Sequence, residues 1–258
     1  MTFTQCFIAP CFRSEGQTLD QLCAQARAIG YTAIEHWHRG ADWEEFCAAA
    51  KKHGLRIASF VGHQSLAKGV ANAGEHERIL GELRTSLAEA KARGIGNLIV
   101  LTGNREHDVT DAEHRAHAAA CLARIAPEAE AAGVNLNLEY LNTRVDHPDY
   151  CFNKLEWGLD VVRRVNSPRV KILLDLYHRQ IMEGDLVRAL KEAKDHIGHI
   201  HTAGNPGRHE LDESQEINWA AVARGIAAIG YTGFVSHEFF PTGDKIAALR
   251  QAYEMTTS

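Results

Sequence analysis

No stretch of this chain approaches the roughly 18 consecutive uncharged apolar residues that a membrane-spanning helix needs, so no membrane role is expected. The opening residues, M-T-F-T-Q-C-F-I-A-P, lack a basic segment followed by an apolar core, and secretion is therefore not expected either. Positive charge is in short supply: 28 Lys and Arg stand against 33 Asp and Glu, a formal net charge of -5. That balance argues against a general affinity for nucleic acid or anionic membrane surfaces. The six cysteines (Cys6, Cys11, Cys23, Cys47, Cys121 and Cys151) include no C-x-x-C pair. Their scatter reads as free thiols in a reducing compartment rather than a disulfide framework, which makes a cytoplasmic location the expectation. Linkers and low-complexity segments are missing too. The one compositional excess is histidine, with 15 residues, several of them at the ends of apolar runs.

Short apolar runs alternate with longer amphipathic stretches throughout. Eight runs, at 3–9, 33–36, 56–61, 97–101, 135–138, 170–174, 197–201 and 234–238, are too short for helices and are bounded by turn signals, so they are expected to be buried strands. Helical periodicity fills the gaps at 18–29, 44–53, 75–93, 112–132, 154–165, 186–195 and 219–229, with Asp42 as the expected N-cap of the second helix. The junctions repeat: A-I-G-Y-T at 28–32, K-H-G-L-R at 52–56, A-R-G-I-G at 92–96 and A-A-G-V-N at 131–135, with A-I-G-Y-T again at 228–232. In each, glycine closes a helix just before a strand. A βα period of roughly 30 residues predicts an α/β fold in which residues 1–258 form a single (β/α)8 barrel domain. The rival, an open doubly wound sheet, lacks its glycine fingerprint, because the first turn reads I-A-P-C-F-R-S-E-G.

In such a barrel the active site forms where strands end. The last four runs read N-L-N-L-E, ending at Glu139; V-K-I-L-L-D, ending at Asp175, with His178 three residues on in a turn; I-G-H-I-H, carrying His199 and His201; and G-F-V-S-H-E, ending at Glu238. Neighbouring strands lie about 5 Å apart, so these groups can converge. Three carboxylates and an imidazole would repel and be poorly solvated without a counter-charge. One divalent metal ion resolves this, and such a donor set suits Mn, Mg or Co. Alternation turns His237 away from Glu238. It leaves His199 and His201 on one face, with position favouring His201.

These residues resemble the xylose-isomerase-like barrel superfamily, and more narrowly the hydroxypyruvate isomerase family. The stretch N-P-G-R-H-E-L-D-E-S-Q-E-I-N at 205–218 is similar to that family's N-P-G-R-H-E…G-E-I-N signature, and N-L-E-Y at 137–140, D-L-Y-H at 175–178 and H-E-F at 237–239 fit the same template. The resemblance implies a xylose-isomerase-like barrel with one divalent metal held by Glu139, Asp175, His201 and Glu238. One position departs from the pattern. The hydroxypyruvate isomerases commonly carry glutamine where this chain has His201, whereas the superfamily's ketose 3-epimerases carry histidine.

The implied reaction is an aldose–ketose type isomerisation of a small hydroxy-oxo acid or carbohydrate. A proton moves through a cis-enediolate, with Glu139 and Glu238 as the acid/base pair. His178 is expected to donate to a substrate oxygen and Arg208 to clamp the substrate from its Gly/Pro-bracketed loop. His209 and Glu210 support that loop, with Glu210 a partner for Arg208. Glu35, His63 and Asn104 line the substrate pocket, while Trp37 and Tyr140 fit core, rim or pocket wall alike. Family analogy adds a homo-oligomer. The alternatives are a ketose 3-epimerase, a sugar-derivative lyase, dehydratase or hydrolase, and a non-catalytic sugar-binding barrel. A barrel endonuclease is disfavoured by the charge.

Overall fold

The computed structural model describes residues 2–257. The strands are β1 (Thr4–Phe7), β2 (Ala33–Ile34), β3 (Arg56–Ile57), β4 (Phe60–Val61), β5 (Asn97–Val100), β6 (Asn135–Glu139), β7 (Val170–Asp175), β8 (Ile197–Thr202) and β9 (Phe234–His237). Between and after them run α1 (Ala9–Phe12), α2 (Leu19–Ile29), α3 (Trp43–Lys52), α4 (His76–Arg93), α5 (Asp111–Ala132), α6 (Leu155–Val165), α7 (Leu176–Met182), α8 (Leu186–Ala193), α9 (Trp219–Ala228) and α10 (Lys245–Met255).

Local chemistry accounts for most of these boundaries. Thr18 opens α2, and Thr110 opens α5, with reciprocal capping boxes to Gln21 and Glu113, each satisfying two backbone N–H groups that the helix leaves unpaired. The junction glycines close helices as expected: Gly94 after α4 and Gly133 after α5 are left-handed C-caps at φ 69° and 71°. Asp42 departs from expectation. It precedes α3 but makes no side-chain cap, and its carboxylate instead faces Arg13 at 3.5 Å and His36 at 3.8 Å.

The chain packs as two compact units. One runs through Phe60 and includes Asp185–Lys194 and the stretch from Ile200 onward; the other comprises Val61–Gly184 and Asp195–His199. In the first, β8 pairs with β9 and β9 with β1, all parallel. Glu35 N–H donates to Phe7 O at 2.8 Å beside β1, and β2 pairs in parallel with β3. Cys6, Ala33 and Ala58 form a small apolar cluster there, with Phe234 packed against it. In the second, β5, β6 and β7 pair in parallel. Gly62 N–H joins that ladder by donating to Ile99 O, and Ile172 N–H donates to His196 O. Ile99, Leu101 and Leu173 cluster there with Val61.

Three differences from the sequence reading have physical causes. The run at 56–61 is not one strand. Ala58 N–H bonds Ile34 O, whereas Gly62 N–H bonds Ile99 O, and Ser59 between them turns its hydroxyl to Glu35. His178 is not in a turn. Asp175 caps α7 by accepting from His178 N–H at 2.9 Å, which places His178 in the helix's first turn. Helix α10 has no counterpart in the expected elements, although Asp244 caps it through the N–H groups of Ile246 and Ala247.

Candidate active site

The ends of β2, β8 and β9 bring three titratable groups together in the first unit. The His201 imidazole is fully buried, with Nδ1 at 3.0 Å from Glu238 Oε2 and Nε2 at 3.2 Å from Glu35 Oε1. Ser59 Oγ donates to the same Glu35 oxygen at 2.5 Å. Trp37 Nε1 donates to Glu238 Oε1 at 2.7 Å. His237 faces the other way, as alternation predicts, with Nδ1 at 2.8 Å from Thr202 Oγ1 and Nε2 at 3.1 Å from Gln5 Oε1. Burial pushes the His237 imidazole down to about 3, so it is a neutral core group.

The loop after β8 is shaped to deliver Arg208. Gly204 N–H bonds His209 O at 2.9 Å, and a Cβ on Gly204 would lie 2.0 Å from Glu210 O, so only glycine fits this close backbone approach. Arg208 itself adopts φ 58°, a conformation that costs a non-glycine residue on the order of 1 kcal/mol and persists where its surroundings fix it. They do: Arg208 Nη2 lies 2.8 Å from Glu238 Oε2, and its backbone O accepts from Phe240 N–H at 2.9 Å. The expected Arg208–Glu210 pair is replaced. Glu210 accepts from Thr242 N–H and Oγ1 instead, and His209 Nδ1 bonds Phe240 O. Burial opposes ionisation of Glu238, but the charges of Arg208 and His201 and the hydrogen bonds from His201 and Trp37 outweigh it and hold this carboxyl well below the usual range.

In the second unit, β6 and β7 end in the buried carboxylates of Glu139 and Asp175. Tyr150 supports the first: its hydroxyl accepts from Thr102 N–H at 2.8 Å and donates to Glu139 O at 3.3 Å. His178 Nε2 lies 3.8 Å from Asp175 Oδ2, and Nδ1 lies 2.6 Å from Asn142 Nδ2. Tyr140, adjacent to Glu139, turns into the core and bonds Asn153 O and Glu183 Oε2. His63 has both ring nitrogens at 3.1 Å from backbone carbonyls, those of Gln64 and Leu101. Asn104 is half-buried and anchored by its backbone to Ala67 and to the Asn72 side chain.

Ser59, Tyr150 and the pairing of Asn142 with His178 lie outside what the sequence pattern points to. Only Asn142, three residues past Glu139, carried a positional signal. Buried donors suited to hold a metal ion are present in each unit: Glu35, His201 and Glu238 in the first, and Glu139 and Asp175 in the second.

Similarity to known proteins covers nearly the whole chain. The 2-oxo-tetronate isomerase of Cupriavidus necator is 32% identical over 248 residues, 92% of each chain. A human protein named as a hydroxypyruvate isomerase is 27% identical over 90% of this chain and 88% of its own. The crystal structure of an AP endonuclease, family 2, from Brucella melitensis superposes with a TM-score of 0.84 at 25% identity, covering 95% of this chain and 96% of that one. Sugar 3-epimerases share the fold at lower identity. The sequence profile of the Xylose isomerase-like TIM barrel family matches residues 23–258, and this chain belongs to that family.

Proposed function

We propose that this chain is a divalent-metal-dependent isomerase of a small hydroxy-oxo acid or sugar, of the hydroxypyruvate or 2-oxo-tetronate type, acting as a single barrel domain. The observation that carries the reading is the chemistry of the donor set. Glu139, Asp175, His201 and Glu238 are all buried: Glu139 and Asp175 close β6 and β7, His201 is the penultimate residue of β8, and Glu238 follows β9. Three carboxylates and one imidazole with no thiolate fit a hard or borderline cation such as Mn, Mg or Co. The names of the relatives support an isomerisation.

A bound cation supplies Lewis-acid polarisation of the substrate carbonyl and offsets the buried negative charge. The chain's own residues do the rest. Glu139 and Glu238 take the proton from the hydroxyl-bearing carbon beside the carbonyl and return one to the carbonyl carbon, while the hydroxyl proton passes to the former carbonyl oxygen, and a general acid/base pair of this kind contributes roughly 10²–10⁴-fold. Arg208 holds Glu238 in one rotamer, and its guanidinium fork suits a substrate carboxylate or paired hydroxyls. Ser59 and Glu35 orient the His201 ring. His178 donates to a substrate oxygen, and Glu35, His63 and Asn104 shape the pocket walls. Six buried free thiols suit a reducing cytoplasm, and family analogy favours a homo-oligomer.

The test is a substrate panel of hydroxypyruvate, tetronates and ketoses in D2O, followed by NMR, with the metal content of the purified protein measured alongside. Glu139→Gln and Glu238→Gln should each abolish deuterium wash-in while the fold survives. Full turnover in either variant, or activity indifferent to divalent metal, would refute the mechanism. His201 favours a second reading, a ketose 3-epimerase on the same residues, and wash-in at C3 of a ketose with inversion would select it.

A further inference from the structure

The side chain of Asn142 is fixed in both of its halves. Its Oδ1 accepts from Val145 N–H at 2.9 Å and Asp146 N–H at 3.1 Å. The amide therefore cannot turn over without leaving two backbone donors unpaired. Its Nδ2 then faces Asp146 Oδ2 at 2.5 Å and His178 Nδ1 at 2.6 Å, which uses both of its hydrogens. A nitrogen that accepts from an N–H must present its lone pair, so His178 Nδ1 is bare and the ring proton sits on Nε2. Nε2 is the nitrogen on the Asp175 side, 3.8 Å from Oδ2. A half-turn of the ring would set Cδ2–H against the Asn142 N–H and leave that donor unpaired, and His147 and Tyr177 pack on the imidazole with ring centroids 5.3 Å and 5.0 Å away. Tyr177 Oη also donates to Asp146 Oδ2 at 3.0 Å, which holds the far end of the relay.

We infer that Asn142 is a positioning residue that locks His178 in its Nε2–H tautomer, so that the ring serves as a hydrogen-bond donor to a carbonyl or alkoxide oxygen of the substrate. The donor role rests on the proposed isomerase reading; the tautomer does not. An imidazole free to choose its tautomer would present an acceptor to that oxygen part of the time and lose the contact.

Long-range ¹H–¹⁵N correlation spectra of the full chain, labelled with ¹⁵N-histidine and equilibrated with Mg²⁺, read the tautomer directly. The His178 signals are identified by their loss in His178→Gln. A protonated Nε2 and a bare Nδ1 are expected; a proton on Nδ1, or an equal mixture, overturns the assignment. The double variant Asn142→Asp with Asp146→Asn keeps the formal charge and places an acceptor against Nδ1. It should reverse the pattern and lower kcat/KM at least tenfold, with Asn142 restored as the rescue. An unreversed pattern in the folded double variant shows that Asn142 does not set the tautomer. Should that variant fail to fold, the wild-type spectrum decides alone. If His178→Gln turns over at the wild-type rate while the wild-type spectrum shows the expected tautomer, the substrate role fails and the lock stands.

Discussion

Replacing Tyr150 by Phe removes one oxygen from a fully buried ring and leaves its packing unchanged. That oxygen is the acceptor for Thr102 N–H at 2.8 Å, and both residues are inaccessible to water. Leaving a buried backbone donor unpaired costs about 1–3 kcal/mol. The second contact, to Glu139 O at 3.3 Å, is longer and adds a fraction of that. The expected loss is therefore about 2 kcal/mol, read as a lower urea midpoint at an unchanged m-value. In a thermal scan this is a fall in Tm of roughly 4–8 °C. Tyr140→Phe is the internal control. Its hydroxyl also contacts Glu183, but that carboxylate keeps Leu155 N–H at 2.8 Å and Arg179 at 3.1 Å, so about 1 kcal/mol is expected. A midpoint for Tyr150→Phe that matches wild type, or falls less than that of Tyr140→Phe, would refute the assignment of Tyr150 as the partner of Thr102.

Further outcomes follow from the same geometry. Arg208→Ala removes a charge-assisted contact of about 1.5–3 kcal/mol to Glu238, so kcat/KM should fall roughly 10–100-fold, with Arg208→Lys intermediate; steady-state kinetics that leave both unchanged would exclude Arg208 from the site. Gly198→Ala would place a Cβ 1.9 Å from Asn137 Oδ1 and 2.8 Å from Lys171 Cβ. Overpacking of this kind costs about 1–3 kcal/mol or more, and urea unfolding measures it. Burial holds the His63 imidazole below its ordinary value. The unfolded chain therefore binds a proton that the folded one refuses, and the stability tied to this group is full above about pH 6.5 and is lost as pH falls below it. His63→Gln should flatten that acid limb in a series of urea midpoints, and an unchanged slope would rule His63 out as its source.

Strand ends were legible in the sequence because an apolar run stops abruptly at a carboxylate or imidazole, as at Glu139, Asp175, His201 and Glu238. Junction glycines were legible because left-handed backbone favours them, and all five have positive φ. Partners far apart in the chain were not. Nothing local to Glu35 signals that His201, 166 residues away, lies against its carboxylate, or that Ser59 donates to it. Arg208 and Glu238 are separated by 30 residues, so the nearer Glu210 looked like the natural partner. Helix α7 was hidden by its length: seven residues carry too little periodicity, although Asp175 three residues before His178 is a capping signal. The break at Ala58 and Ser59 was hidden because Ile57, Ala58, Phe60 and Val61 read as one nearly continuous apolar stretch and only the identity of the neighbouring strand changes.

The six buried thiols give the chain an internal clock. Burial pushes Cys23, Cys121 and Cys151 up to about 12, so at neutral pH almost none of the reactive thiolate exists and alkylating reagents meet a silent surface. Modification must wait for local or global opening, and the labelling rate at each site then reports how often that part of the fold exposes itself. Cys6, Cys11, Cys23 and Cys47 sample one compact unit and Cys121 and Cys151 the other. Mass spectrometry of alkylated peptides can therefore time the two units separately, without adding a probe to the native sequence.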